Sequence, residues 1–335
     1  MADPQKTEAA PQKTAAAPQK TAVAPQKTAA FQKTAAFQKM AAALGAEGGT
    51  HVQDGAKTYE PGETIQVGKY SLTVKKVIGS GSEGVLYLVT DGKREYALKL
   101  CNPGFKTNQA AISAVKGLPK GYAVEMVDYA DNYELMAYYP EGSVGHGGFK
   151  GNEKWILAIV INTAMALDKL HKAGILHKDI KPANILIKDR EKMATVLCDF
   201  GIADQLGKDG KCATQQLRTP IYAAPEVYTD TVTIADKTYI ELTPKADFYS
   251  LGMTILSLWM GEGAFMAEQQ LAFDKVKGRI VIPADMPDPL ARICRGLLIK
   301  NPGKRWAWEE IEKNPERGRG PGRGRRDHRG PEHHL

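Results

Sequence analysis

Cysteine is scarce in this chain of 335 residues, and none of its four copies is placed for a metal site or for an obvious pairing. No Cys-x-x-Cys motif occurs, so reduced thiols are the simplest interpretation, although Cys198 and Cys212 could be reactive. No apolar run reaches the roughly 20 residues that a membrane-spanning helix needs, and no signal-peptide hydrophobic region is present. These absences predict a soluble, cytoplasmic protein.

Net positive charge is nearly absent from the middle of the chain, although the whole chain carries +7. Residues 1–50 and residues 314–335 contribute +3 each, which leaves +1 for residues 51–313. A nucleic-acid-binding core is therefore not indicated. The Arg/Gly-rich residues 314–335 are expected to be a disordered tail, whose composition alone suggests contact with RNA or an acidic surface.

The N-terminal residues form a low-complexity tail, predicted to cover residues 1–58. A Pro-Gln-Lys-Thr unit returns every seven residues, starting at Pro4, Pro11, Pro18 and Pro25. Proline in each unit interrupts helices, and the polar composition cannot bury a core, so the tail is expected to be largely disordered. Alanine is frequent between residues 29 and 46, where a conditional helix could form. The Lys-Thr pairs could be sites of self-phosphorylation.

The most informative stretch is residues 177–186, His-Lys-Asp-Ile-Lys-Pro-Ala-Asn-Ile-Leu. Asp179 could accept a hydroxyl proton, Lys181 could neutralise a phosphate oxygen, and Asn184 could bind a divalent metal through its amide oxygen. Asp199, within Asp-Phe-Gly, could complete a magnesium site. Phosphoryl transfer depends mainly on positioning and charge neutralisation, and these four side chains provide parts of both.

A glycine-rich motif lies upstream, where Gly79, Gly81 and Gly84 occur in Gly-Ser-Gly-Ser-Glu-Gly. Such a motif alone is a weak signal, because it also opens dinucleotide-binding helices. Here strand patterns follow it at residues 85–89 and 96–100, joined by an Asp-Gly hairpin signal. A glycine hairpin can lie close over phosphates and donate backbone N–H groups to them.

In this order, the motifs resemble those of the protein kinase superfamily. The resemblance runs from about Tyr70 to Ile311. It implies an α+β, two-lobed fold with a small N-lobe built on an antiparallel sheet and a larger, mainly helical C-lobe. The kinase domain is expected over residues 59–313, with the N-lobe at about 59–138 and the C-lobe at about 139–313.

The resemblance also implies a site for ATP and Mg²⁺. Lys99 matches the strand lysine that pairs with the α- and β-phosphates, and Asn184 and Asp199 match the metal ligands. Lys99, Asp179 and Lys181 would be the catalytic residues, and the three glycines would cover the phosphates. Leu86 and Ala97 would form an apolar roof over adenine, and Leu186 would form the floor beneath it. Tyr138 and Tyr139 would lie in the hinge between the lobes, whose backbone would bind adenine.

The chain departs from the kinase pattern after Lys99, because residues 102–121 contain no Asp or Glu. Kinases carry a glutamate on the next helix that pairs with the strand lysine, and the match places Ala111 there. Lys99 would then be positioned by another group, for which three candidates are Gln109, Glu83 and Glu125.

Three further positions carry predictions. Ala137 matches the gatekeeper position, which predicts a roomy back pocket that admits bulky adenine analogues. Lys178 stands where many kinases have an arginine that binds a phosphorylated activation loop through bidentate bonds, which lysine cannot make. Activity is therefore expected to depend little on loop phosphorylation. Thr219 is expected to contact Asp179 and Lys181.

Four other residues match structural positions. Asp247 is expected to be a buried acid that binds the backbone of the catalytic loop, residues 177–186, because buried charges need such partners. Arg305 is expected to form an ion pair with Glu226. His171 lies on the apolar face of a helix predicted over residues 152–173 and is expected to be structural.

Three functions remain open. The first is an ATP-dependent serine/threonine protein kinase that acts on a protein substrate and on itself, because Lys181-Pro182 favours Ser/Thr acceptors. The second is a pseudokinase that binds nucleotide as a scaffold, suggested by the missing helix glutamate. The third is a small-molecule kinase, a class that generally lacks Lys181 and the Thr219 platform. The compact helix region suggests a bacterial, phage or effector kinase, which for an effector would place it in the host cytoplasm.

Overall fold

A computed structural model describes most of the chain between the two tails, namely residues 58–81, 83–146, 148–214, 219–228, 230–267 and 280–314. The repeats, the conditional helix and the Arg/Gly-rich segment lie outside these residues, so the predictions made for them stay predictions. Within the described residues, no helix is long and apolar enough to cross a membrane.

The first half of the described chain forms a six-stranded antiparallel sheet in the order β1-β2-β3-β4-β6-β5. Its strands are β1 (Thr64–Val67), β2 (Tyr70–Ser80), β3 (Gly84–Thr90), β4 (Glu95–Cys101), β5 (Met126–Ala130) and β6 (Tyr133–Ala137). The predicted Asp-Gly turn joins β3 to β4. The Asp91 carboxylate accepts the N–H groups of Lys93 and Arg94 at 2.9 and 2.8 Å, and Gly92 adopts a φ of 89°.

The two faces of this sheet have different partners. Tyr96 and Leu98 of β4 belong to a small apolar core of the sheet. Ala97 instead belongs to the larger core that continues into the helical half of the molecule. Because side chains alternate along a strand, Lys99 shares the face of Ala97 and points toward the second lobe.

One short helix, α1 (Gln109–Lys116), lies between β4 and β5. Asn108 caps it by accepting the N–H of Ala111 at 3.1 Å, and Gly117 ends it after only eight residues. The side-chain amide of Asn108 also donates to the carbonyl of Ala203 at 2.7 Å. This contact connects the helix to the second lobe.

The second half is mainly helical, as predicted, and completes an α+β, two-lobed fold. Its helices are α2 (Glu153–Lys172), α3 (Lys245–Met260), α4 (Glu262–Ala267), α5 (Asp288–Leu297) and α6 (Trp308–Glu312). Helix α2 matches the predicted span, with Asn152 as its N-cap at 3.2 Å from the Trp155 N–H. Helix α3 is buried over most of its length and forms the centre of this lobe.

Four short strands carry the loops between these helices. Strands β8 (Ile185–Asp189) and β9 (Ala194–Leu197) form a hairpin, and β7 (Ile175–Leu176) pairs with β10 (Asp204–Gln205). Both pairs are antiparallel. They fix the two ends of the segment that contains the predicted metal ligands.

A three-stranded sheet was not predicted from the sequence. Strand β13 (Lys237–Leu242) pairs with β12 (Thr231–Ile234) on one side and with β11 (Cys212–Thr214) on the other. The turn between β12 and β13 consists of Ala235 and Asp236, which have φ values of 47° and 63°. Two-residue hairpin turns of this kind usually contain Asn or Gly, so the sequence lacked its usual signal.

A buried ion pair joins distant parts of the second lobe. The Arg305 guanidinium donates two hydrogen bonds to the Glu226 carboxylate, at 2.6 and 2.8 Å. It also donates to the carbonyls of Ile299, Lys245 and Lys300 and lies over the Tyr249 ring. The predicted pair is therefore confirmed.

Candidate active site

The catalytic loop is held by one buried carboxylate. The Asp247 carboxylate accepts the backbone N–H groups of His177 and Lys178 at 2.9 and 2.8 Å, and the His171 ring lies 2.8 Å from it. Burial would raise the pKa of Asp247, but the hydrogen bond and charge of His171 and the bond from His177 lower it below its ordinary value. The structural roles predicted for Asp247 and His171 are both confirmed.

Asp179, Lys181 and Thr219 meet at one point, as predicted. The Thr219 hydroxyl donates to Asp179 Oδ1 at 2.8 Å, and Lys181 Nζ donates to the Thr219 hydroxyl at 2.6 Å. Lys181 Nζ also lies 3.1 Å from Asp179 Oδ2. A carboxylate, an ammonium group and a hydroxyl therefore converge within hydrogen-bond distance of one another.

Asn184 is oriented by the same loop. Its amide nitrogen donates to the Asp179 carbonyl at 2.8 Å and to Asp179 Oδ2 at 2.9 Å. These bonds fix which end of the amide is the nitrogen, and the amide oxygen remains as the acceptor for a cation. The Cys198 N–H donates to the Asn184 carbonyl at 3.0 Å, which brings Asp199 alongside.

Asp199 and Asn184 are the residues that fit a magnesium ion. The Asp199 side chain is 34% exposed, and its backbone φ is 60°. Hard cations prefer oxygen ligands, and Mg²⁺ is commonly bound by one or two protein oxygens together with phosphate oxygens and water. No group of three or more His, Cys, Asp or Glu side chains in the described residues could hold a metal without such help.

Lys99 lies among three carboxylates. Its ammonium group forms ion pairs with Glu83 and, at 3.2 Å, with Asp199 Oδ1. Glu134, buried on β6, stands directly opposite Lys99 in the strand register. Burial would lower the pKa of Lys99, but Asp199, Glu134 and Glu83 raise it above its ordinary value. Burial also raises the pKa of Glu134, against the effect of Lys99.

The three candidate partners of Lys99 have different outcomes. Glu83 contacts Lys99, so this candidate is confirmed as a contact. Gln109 instead donates to Asp131, and Glu125 lies 3.5 Å from Arg94 at the surface, so these two were wrong. Both side chains lie on outward-facing positions, which spacing along the chain did not reveal.

Glu134 was missed at the sequence level. A signal was present, because a single glutamate interrupts the apolar strand Tyr-Glu-Leu-Met-Ala at residues 133–137. A charged residue inside a buried strand normally has a partner. Thr107 supplies one hydrogen bond to Glu134 at 3.3 Å, and Lys99 supplies the opposite charge.

The glycine-rich motif forms the tight hairpin between β2 and β3. A side chain at Gly84 would collide with the Leu100 carbonyl, so only glycine allows β3 to approach β4 there. Gly79 lies opposite Leu86 in the β2–β3 ladder, and the Gly81 N–H donates to the Gly84 carbonyl at 3.0 Å. The three predicted glycines are thus brought together above the Lys99 face of the sheet.

The residues predicted for the adenine pocket share one apolar cluster. Ala97 is a buried member, and Leu86, Tyr138, Tyr139 and Leu186 are partly buried against it. Leu86 and Ala97 come from the first lobe, and Leu186 comes from β8 of the second. The predicted roof, hinge and floor residues thus all belong to the apolar cluster that extends through both lobes.

The gatekeeper prediction was wrong by one residue. Ala137 pairs with Tyr96, whose side chain faces the small core of the sheet. Met136 pairs with Ala97 and shares its face, and it is only 8% exposed. A methionine rather than an alanine therefore occupies the back of the pocket, and the expected extra space for bulky adenine analogues is not supported.

Comparison with known proteins agrees with this geometry. Residues 72–315 match the family model described as protein kinase domain. The chain belongs to the protein kinase family.

Among curated proteins, the kinase domain is similar to several relatives. It is 28% identical over 261 residues to "Serine/threonine-protein kinase TIO" of Arabidopsis thaliana, covering 72% of this chain and 19% of that protein. It is 31% identical over 216 residues to "Serine/threonine-protein kinase ppk34" of Schizosaccharomyces pombe, covering 60% of this chain and 57% of that protein. Human "Serine/threonine-protein kinase ULK1" is 28% identical over 288 residues, covering 76% of this chain and 26% of that protein. The chain thus spans between about a fifth and somewhat over half of the length of these relatives.

Lys178 of this kinase already has partners within the chain. Its ammonium group is almost fully buried, forms an ion pair with Asp204 at 2.5 Å and donates to the Thr214 hydroxyl at 3.0 Å. Both partners lie in the activation segment, residues 199–226, with Asp204 on β10 and Thr214 on β11. Contacts within the chain therefore already satisfy the charge of Lys178.

The kinase has no disulfide, because all four cysteines are free. Burial raises the pKa of Cys198 far above its ordinary value and that of Cys212 to about 11. Only the thiolate is a good nucleophile, so neither thiol is activated. The suggestion that these two residues could be reactive was therefore wrong.

Proposed function

We propose that this protein is an ATP-dependent serine/threonine kinase that transfers the γ-phosphoryl group of Mg-ATP to a protein hydroxyl. The main support is the convergence of Asp179, Lys181 and Asn184 with Asp199 and Lys99 between the two lobes. Leu86 stands opposite Lys99 in the β3–β4 ladder, and Ala97 lies two residues before Lys99 on the same strand. Leu186 lies two residues after Asn184. These apolar side chains beside the polar cluster support the proposal that a nucleotide base binds there.

The transfer step follows from the positions of the charges. The acceptor hydroxyl donates its hydrogen bond to Asp179, in the way the Thr219 hydroxyl does at 2.8 Å. The hydroxyl oxygen forms a bond to the γ-phosphorus, the bond to the β–γ bridging oxygen breaks, and ADP leaves. The hydroxyl proton passes to Asp179. Lys181 and Lys99 stabilise the negative charge on the transferring group and on the remaining phosphates.

Asp199 and Asn184 would hold Mg²⁺ through a carboxylate and an amide oxygen. The ion supplies neutralisation of phosphate charge when it is bound. The contribution of the protein is orientation, because the bonds from Asn184 to Asp179 tie the metal ligand to the residue that receives the proton.

The choice of Ser/Thr acceptors is supported by Lys181 and Thr219. Their contact bridges the catalytic loop and the activation segment beside Asp179. The relatives named above are described as serine/threonine kinases. A nucleotide-binding scaffold without transfer is the second candidate, because α1 carries no acid in its eight residues.

The decisive experiment measures phosphoryl transfer from labelled Mg-ATP to generic protein acceptors and to the chain itself. Wild type should phosphorylate Ser or Thr, and Asp179→Ala should lose about 10²–10⁴ in rate, since it removes the general base. The matched control is Asp131→Ala, which removes an exposed carboxylate that pairs with Lys106.

Three results would contradict the proposal. An equal trace signal from wild type and Asp179→Ala would support the scaffold. Transfer to sugars or amines but not to proteins would support a small-molecule kinase. Phosphotyrosine as the main product would contradict the acceptor class.

A further inference from the structure

The missing helix glutamate leaves Lys99 without its usual partner. Helix α1 cannot supply one, because residues 102–121 contain no acid. Of the three carboxylates near Lys99, only those of Glu83 and Asp199 lie within ion-pair distance among the described residues. Glu134 stands opposite Lys99 in the sheet but accepts its hydrogen bond from Thr107.

Glu83 and Asp199 are not equivalent partners. Asp199 is partly exposed to the cleft and is the carboxylate that fits a magnesium ion. Glu83 is only 5% exposed, so its carboxylate is turned away from solvent and toward Lys99. Glu83 can therefore remain the ion-pair partner of Lys99 while Asp199 binds another cation.

The backbone holds Glu83 in this inward position. Asn102, at the end of β4, donates its backbone N–H to the Glu83 carbonyl at 2.7 Å. The Asn102 side-chain amide donates to the Gly81 carbonyl at 3.1 Å. On the other side, the Glu83 carboxylate lies against Gly201, where an added Cβ would collide with it. The position of Glu83 is thus set from both lobes.

We propose that Glu83 is the positioning residue of Lys99 in this kinase and takes the place of the helix glutamate. The inference rests on the proposed phosphoryl transfer. The glycine-rich loop then carries both the backbone that faces the phosphates and the anion that orients the lysine. The orientation of Lys99 then does not depend on the position of α1.

Removing the Glu83 charge should disturb Lys99 specifically. The Glu83→Gln variant keeps the shape of the side chain but removes its charge. The buried Lys99 ammonium group then retains only Asp199 as an ion-pair partner among the described residues. Asp199 is then drawn toward Lys99 and away from the position that fits a metal. A displacement of about 1 Å in such a site costs about 10²-fold in rate. We expect kcat to fall by about that factor, while KM for Mg-ATP changes by less than about threefold.

The experiment compares three single variants with wild type, using kcat, KM for Mg-ATP and thermal unfolding. Glu83→Asp keeps the charge on a shorter side chain and should restore part of the lost kcat. Glu125→Gln is the matched control, since it neutralises a surface glutamate that pairs with Arg94, and it should behave as wild type. Unfolding temperatures that stay close together would show that Glu83→Gln folds.

A double-variant cycle separates positioning from a general structural role. Affinity for Mg-ADP is measured by calorimetry for Glu83→Gln, Lys99→Ala and the combined variant. If Glu83 acts through Lys99, Glu83→Gln weakens binding slightly, by no more than about threefold, in the wild-type background and has no effect once Lys99 is alanine. This measurement does not require phosphoryl transfer, so it tests the pair even if the proposed function fails.

Several outcomes would overturn the inference. Wild-type kcat in Glu83→Gln would exclude a positioning role and leave the kinase function intact. Higher activity in that variant would show that Glu83 obstructs the nucleotide. Equal effects of Glu83→Gln on Mg-ADP affinity in both Lys99 backgrounds would show that Glu83 does not act through Lys99.

Discussion

Two buried ion pairs in this kinase have similar chemistry but different surroundings. Arg305 and Glu226 are 0% and 4% exposed, and the guanidinium also donates to three backbone carbonyls. Lys99 and Glu83 are 13% and 5% exposed, but the acid belongs to the glycine-rich loop and the cation has a second acidic partner in Asp199.

The difference indicates separate roles for the two pairs. The Arg305–Glu226 pair lies within the second lobe and joins segments that are far apart in the chain, so its loss should affect the free energy of unfolding. The Lys99–Glu83 pair lies between the lobes beside Asp199, so its loss should affect catalysis first. Four predictions test this contrast, beginning with the largest effect.

Arg305→Ala should lower the free energy of unfolding by about 3–5 kcal/mol, because it leaves the Glu226 charge buried without its partner. Urea unfolding monitored by circular dichroism measures the change. Arg295→Ala, at an exposed position of α5, should change the free energy by less than about 0.5 kcal/mol. If Arg305→Ala lowers the free energy of unfolding by less than about 1 kcal/mol, the Arg305–Glu226 pair contributes no more than an exposed ion pair. The contrast between a stabilising pair and a catalytic pair would then fail.

Gly201→Ala should lower kcat by about 10²-fold with little change in unfolding, because the new Cβ displaces the Glu83 carboxylate from Lys99. The displaced group is the end of a flexible side chain, so the backbone need not shift. Gly263→Ala is the control, since nothing lies within 4 Å of the added Cβ there. Activity of Gly201→Ala near that of the control would argue against the role of Glu83.

Asn102→Ala should lower kcat/KM for Mg-ATP by about fivefold, which corresponds to the roughly 1 kcal/mol of one hydrogen bond. The variant loses the bond to the Gly81 carbonyl but keeps the backbone bond to Glu83. Steady-state kinetics measures the change. Asn132→Ala, in the exposed β5–β6 turn, is the matched control and should match wild type; an equal effect of both would refute the role of Asn102.

Thr214→Ala should change the transfer rate by less than about twofold, the smallest effect of the series. The Thr214 side chain is buried and bonded to Lys178, and Lys178 keeps Asp204 when the hydroxyl is removed. Asp204→Asn is the contrasting variant, because it leaves the buried ammonium group without its anion and should be destabilising. Loss of most activity in Thr214→Ala would show that the loop does depend on this residue.

Local features of this protein could be predicted from the sequence because they depend on short spacings. Asp179, Lys181 and Asn184 lie within six residues of one loop, so their convergence follows from the loop itself. The Asp91-Gly92 turn and the apolar period of α2 are equally local. Ordered motifs were also enough to predict the two-lobed fold.

Strand register and non-local partners were decided by the tertiary structure. A shift of one residue moves a side chain to the other face of a sheet, which is why Met136 and not Ala137 faces Ala97. The β12–β13 hairpin was missed because Ala235 and Asp236 carry little turn signal.

The sequence by itself determined that the chain is a kinase and predicted which residues carry the chemistry, since those residues are set in contiguous motifs. It also determined that the usual partner of Lys99 is absent. Only the tertiary structure decided that Glu83 replaces that partner and that Asp204 neutralises Lys178. The physical reason is that a buried charge needs an opposite charge nearby in space, and folding brings together residues that chain spacing leaves far apart.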